Sequence, residues 1–118
     1  MNRIQELQLE LMSLASFNDF EGPRVVEDLK EHQDLWRGAV LDRDGLIKLR
    51  DIERGYWNVD TLYLLPALGK EYELEGIANL WGADEVDWIG GDTACYLLGS
   101  YSPEKRSQAK QILRVWWD

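Results

Sequence analysis

LIKLRDIERGYWNVDTLYLL, residues 46–65, is the most β-rich stretch of the chain, and its reading decides the fold. It divides into two strands, 46–52 and 56–65, joined at Glu53-Arg54-Gly55. In 56–65, Trp57, Val59, Thr61 and Tyr63 share one face by alternation, and Asn58, Asp60, Leu62 and Leu64 share the other. The second half of that strand is apolar on both faces, which places it at the centre of a sheet. Pro66 ends it. Upstream, Val40 and Leu41 lead into Asp42-Arg43-Asp44-Gly45. Asp-Gly between two β-like runs is a hairpin signal. The expectation is a meander of three antiparallel strands over 38–42, 46–52 and 56–65.

Helices flank this block. Over 3–16, Ile4, Leu7, Leu11 and Leu14 recur at spacings of three and four, and Leu9 and Met12 widen the stripe. A stripe that wide is expected to face the chain's own sheet; two heptads are too short for a free-standing coiled coil. Its functional alternative is docking to a partner or a second copy. Pro23 fits the first position of a second helix, with Val25, Val26 and Leu29 on its apolar edge and an end near His32 to Asp34. A third helix, from about 69 or 70 to 81, carries Leu74, Ile77, Ala78 and Trp81 on one face, and Gly82 sits where a left-handed cap belongs. Then 85–89 reads as a short strand. Gly90-Gly91 turns it into a helix through Leu98, with Asp92 as N-cap and Gly99 as stop. Ser102-Pro103 starts a further helix, and 112–117, ILRVWW, is a last strand by composition. The fold class is therefore α+β, one domain over 1–118, in the order α-α-β-β-β-α-β-α-(α)-β. About five strands form a mainly antiparallel sheet with helices packed on it.

Composition narrows the function. The chain has 118 residues with 22 acidic against 13 basic, a formal net charge of −9. That field disfavours nucleic-acid backbones and anionic membrane surfaces and favours a basic protein partner or metal cations. No apolar run is long enough to span a membrane, and Glu6 and Glu10 interrupt the N-terminal leucines, so the expected compartment is the cytoplasm. With one cysteine, Cys95, and one histidine, His32, neither an internal disulfide nor a multi-thiolate or two-histidine zinc site is available. Cys95 lies in the apolar run ACYLLG and reads as a small core hydrophobe. His32, near a helix end, reads as a capping or solvated residue.

Three constellations remain. Asp42, Asp44, Gly45, Ile47 and Asp51 fit positions of an EF-hand-like calcium loop, but Val40 stands at the first ligand position and Asp51 replaces the closing Glu, so turn chemistry explains the run better. Gly90, Gly91 and Asp92 form a strand-to-helix junction of the kind that cradles anions, although Asp92 would repel phosphate. Asp84, Glu85 and Asp87 crowd a short strand, with Glu85 and Asp87 on one face. Such carboxylates serve acid–base or metal chemistry, or simply guard a sheet edge. The six tryptophans add an aromatic component. Trp116 and Trp117 are adjacent in a strand, so one of them lies off the main core face. The reading that unites charge and aromatics is a small acidic protein-binding module, an inhibitor, immunity-type or adaptor protein. It would bind a basic protein through Asp84, Glu85, Asp87 and one of Trp116 and Trp117. No catalytic residue and no cofactor is implied. The alternatives are a small-molecule or divalent-metal-dependent enzyme using carboxylates near Asp84–Asp92, and a structural subunit self-associating through the N-terminal helix.

Overall fold

The computed structural model describes residues 1–42, 47–57, 59–99 and 111–118. Its elements are α1 (Arg3–Met12), the two-residue strands β1 (Ser16–Phe17) and β2 (Phe20–Glu21), α2 (Gly22–Glu31), a 3-10 turn at Gln33–Leu35, β3 (Trp36–Leu41), α3 (Leu49–Arg54), β4 (Thr61–Pro66), α4 (Glu71–Ala78), β5 (Glu85–Ile89), α5 (Gly91–Leu98) and β6 (Ile112–Trp116). This is an α+β fold. β1 and β2 pair as a small hairpin, and the main sheet has four strands in the order β3-β4-β6-β5, each antiparallel to its neighbours.

The register explains the core. Leu41 pairs with Leu62, Leu62 with Val115, and Val115 with Val86; one layer along, Ala39, Leu64, Leu113 and Trp88 align the same way. These residues fall on one face of the sheet and join Leu9 and Met12 of α1, Val25, Val26 and Leu29 of α2, and Leu74 and Ala78 of α4 in a single apolar cluster. Each fully buried Leu or Val there contributes about 1.5–3 kcal/mol relative to exposure. Tryptophans tie the helices to this layer. The indole N–H of Trp81 donates to Asp28 Oδ2 at 2.8 Å, that of Trp36 to the Leu29 carbonyl at 2.8 Å, and that of Trp117 to the Trp81 carbonyl at 3.3 Å. Phe20 meets Trp117 edge-on with centroids 4.5 Å apart. Ala94 and Cys95 of α5 and Ile112 of β6 are also buried, outside that cluster.

Several expectations are corrected. The meander lacks its middle strand: β3 pairs directly with β4, and the residues expected as strand 46–52 include helix α3 instead. The reason is local. LRDIER contains good helix formers, the Asp51 carboxylate accepts from the Lys48 N–H at 3.2 Å as a start signal, and Gly55 at φ 76° stops the helix in a left-handed cap. Leu49 and Ile52, whose spacing of three is helical, are 89% and 55% exposed. The hairpin expected at Glu53-Arg54-Gly55 is thus a helix end, and β4 begins at Thr61, not at 56. Among the described residues the sheet accordingly has four strands rather than about five. The turn at Asp42–Gly45 falls mostly on 43–46, and the helix from Ser102 wholly on 100–110; both lie outside the described residues. Of the calcium-loop set, Asp51 is taken up by α3.

Helix α1 forms as expected but faces differently. Leu9 and Met12 enter the core, whereas Ile4 and Leu14 are 75% and 73% exposed, Leu7 is exposed and Leu11 half-buried. Gln5 shares the inner side. Its side-chain amide donates to the Ala39 carbonyl at 2.7 Å, and its carbonyl oxygen accepts from the Ala39 N–H at 2.9 Å. One side chain so occupies both backbone groups of an edge-strand residue. Farther along, His32 closes α2, Gly82 has φ 74° after α4, and Gly99 has φ 73° after α5.

Candidate functional site: the acidic end of the sheet

An aspartate stands at the same end of every strand of the main sheet. Asp42 follows β3 and its N–H donates to the Thr61 carbonyl at 2.9 Å. Asp60 precedes β4 and its carbonyl accepts from the Trp117 N–H at 3.1 Å. Asp118 follows β6, and its N–H donates to Asp84 Oδ2, before β5, at 2.7 Å. In sheet order the row is Asp42, Asp60, Asp118, Asp84. The four share an end of the sheet and add to the acidic field there.

Glu85 and Asp87 continue this field on the outer face of β5, an edge strand. Cross-strand pairing places Arg114 of β6 opposite Asp87. Arg114 Nη1 reaches Glu85 Oε2 at 3.0 Å and Asp87 Oδ1 at 3.1 Å, and its guanidinium lies 5.9 Å from the Trp116 ring centroid. Partial burial pulls the Arg114 pKa down, but the hydrogen bonds and charges of Glu85 and Asp87 together outweigh it, and the pKa is raised above its ordinary value. Glu85 and Asp87 are therefore held on one face, as alternation predicts, and one cation stands between them. With Asp84 and Asp118 at the adjoining ends of β5 and β6, carboxylates still outnumber it.

The tryptophan pair divides as its strand geometry requires. Trp117 is fully buried in the main core against Phe20, so of the two candidates for a partner contact only Trp116 remains. Trp116 lies on the opposite face, half-buried, paired across the sheet with both Thr61 and Glu85. The weaker expectation, Gly90-Gly91-Asp92, is a strand-to-helix turn. Gly90 rather than Asp92 takes the N-cap place of α5, Gly91 has φ 63°, and Asp92 sits exposed in the first helical turn, where its charge opposes an anion. Among the described residues no group of three or more His, Cys, Asp or Glu is placed to hold a metal ion, and no helix is long and apolar enough to cross a membrane.

A separate crevice of about 490 Å³ lies where α1, β3, β4 and the end of α5 meet, edged by Ile4, Val40, Tyr63, Leu65, Leu97 and Ile112. None of the thirteen residues around it is charged, so the carboxylates required by the enzyme alternative do not converge there. Sequence reasoning missed Arg114, Asp42, Asp60 and Asp118 as parts of one site. The available signal was that each of these aspartates abuts a strand end; only the strand order shows that the ends coincide. No protein family matches the chain, and comparison with curated proteins and with solved structures finds no match to it.

Proposed function

We propose that the protein is a small acidic binding module, of the inhibitor, immunity or adaptor kind, that recognises a basic protein through the acidic sheet end, Glu85, Asp87 and Trp116. The observation that carries this reading is the row of one aspartate per strand beside a half-exposed indole. Carboxylates gathered at one sheet end supply an acidic field beside an aromatic side chain, the combination that recognises a cationic protein surface. Its net charge of −9 draws cationic partners by long-range attraction and speeds encounter. Exposed charge pairs alone are worth about 0–1 kcal/mol, so lasting affinity needs a desolvated anchor, and Trp116 is placed to supply one. The test is capture of partners from a lysate of the source cell by the native chain and by a triple variant, Asp84→Asn with Glu85→Gln and Asp87→Asn. A basic protein retained by the native chain at low salt and lost with the variant is the expected result. Identical captures, or no basic protein at low salt, would sink the reading. With the partner in hand, Trp116→Ala should raise the dissociation rate, by about thirtyfold if the anchor contributes about 2 kcal/mol.

A further inference from the structure

The mismatch in α1 between sequence and packing points to a second surface. At about 100° per residue, the core-facing Leu9 and Met12 lie roughly 150° round the helix from the centre of the line Ile4, Leu7, Leu11, Leu14. Leu14 belongs to the turn that follows the helix, held by its N–H to the Leu11 carbonyl at 3.0 Å. That outer line has spacings of three, four and three, the pattern with which one helix packs along another. It is exposed at Ile4, Leu7 and Leu14. A helix apolar on two opposite sides belongs between two packed layers, and among the described residues only one layer is present.

We infer that this outer face of α1 is the docking seam for an amphipathic helix whose apolar stripe is flanked by lysines or arginines. Charge selects that occupant. Glu10 and Arg3 border the seam, Arg3 is turned to Glu6 at 3.3 Å, and the whole chain carries −9. A second copy would bring the same carboxylates and another −9 to the contact, and an anionic membrane surface would repel it in the same way; a basic helix gains on both counts. Because α1 is already folded against the core, docking orders little of this chain, so a seam of two heptads suffices. The surface is distinct from the acidic sheet end and stands or falls separately.

Three synthetic three-heptad peptides test it by fluorescence anisotropy: Leu at the seam positions with Lys flanks, Ser with Lys flanks, and Leu with Glu flanks. The Leu/Lys peptide should bind at least about tenfold more tightly than either control, the difference made by one partly buried apolar side chain. Leu7→Ser should abolish that preference, as should the more exposed Ile4→Ser, which guards against a loss of folding in the first variant. The variant Asp84→Asn with Asp87→Asn should leave it intact, which separates this seam from the sheet-end site. Equal binding of the Leu/Lys and Ser/Lys peptides, or preference that survives Leu7→Ser, would overturn the inference. So would a dimer of the chain alone in sedimentation that Leu7→Ser dissolves, since the seam's occupant would then be a second copy.

Discussion

Gly22, the first residue of α2, has no room for a side chain. A Cβ there would press on the carbonyl oxygens of Met12 and Ala15, the latter at 2.6 Å, and both are backbone atoms that cannot swing away. Gly22→Ala should therefore cost about 2 kcal/mol or more, seen as a lower urea midpoint with an unchanged slope. Gly76, in the middle of α4, meets nothing within 4 Å, and Gly76→Ala should raise stability by about 0.4–1 kcal/mol. Asp28→Ala removes the acceptor of the Trp81 indole and should cost about 1–2 kcal/mol, whereas Asp28→Asn keeps an oxygen there and should lose less. At this scale the sequence was informative where stereochemistry is local. The left-handed cap at Gly99 and the opposite facing of Trp116 and Trp117 follow from bonded geometry alone, whereas the helix expected to run to Trp81 and be capped by Gly82 ends at Ala78 with Asn79 as its cap. The need for glycine at 22 depends on α1 folding back beside it, and the pairing of Arg114 with Glu85 and Asp87 depends on β6 lying next to β5. Neither contact has a local signature.

Gln5 joins α1 to the edge strand β3 by presenting an amide that behaves like one residue of an additional strand. Open strand edges recruit other chains, and this plug covers one. Gln5→Ala should lower stability by about 1–3 kcal/mol and increase concentration-dependent association, read by light scattering. If aggregation is unchanged while stability falls, the amide holds α1 without guarding the edge. Element boundaries were legible for α2 and β5, where caps and alternation agree. They were not for α3: IKLRDI carries β-branched and apolar residues that suit a strand, and the helix is decided by the Asp51 start and the Gly55 stop. In α1 the helical period was right and the buried side wrong, because Leu9 and Met12 are outnumbered by the outer line. Apolar count does not say which side meets the sheet.

Across the whole molecule, protection should follow the sheet order. Leu62, Leu64, Leu113 and Val115 in the two central strands are fully buried, while α3 has no buried residue. Amide hydrogen exchange should be slowest in β4 and β6 and among the fastest in α3. Fast exchange in β6 would mean that the centre of the sheet opens by itself. Class and composition were readable because they sum over the chain; strand order, and with it the acidic end, was not, because it depends on which distant segments meet. That order also sets a timetable. β4 spans 61–66 and its central partner β6 spans 112–116. A ribosome adds about 5–20 residues per second, so on the order of several seconds pass between making the one and making the other. During that interval β4 has β3 on one flank and nothing on the other. The edge that carries Leu62 and Leu64 is thus bare while the chain is being born, and residues 112–116 end that exposure when they arrive.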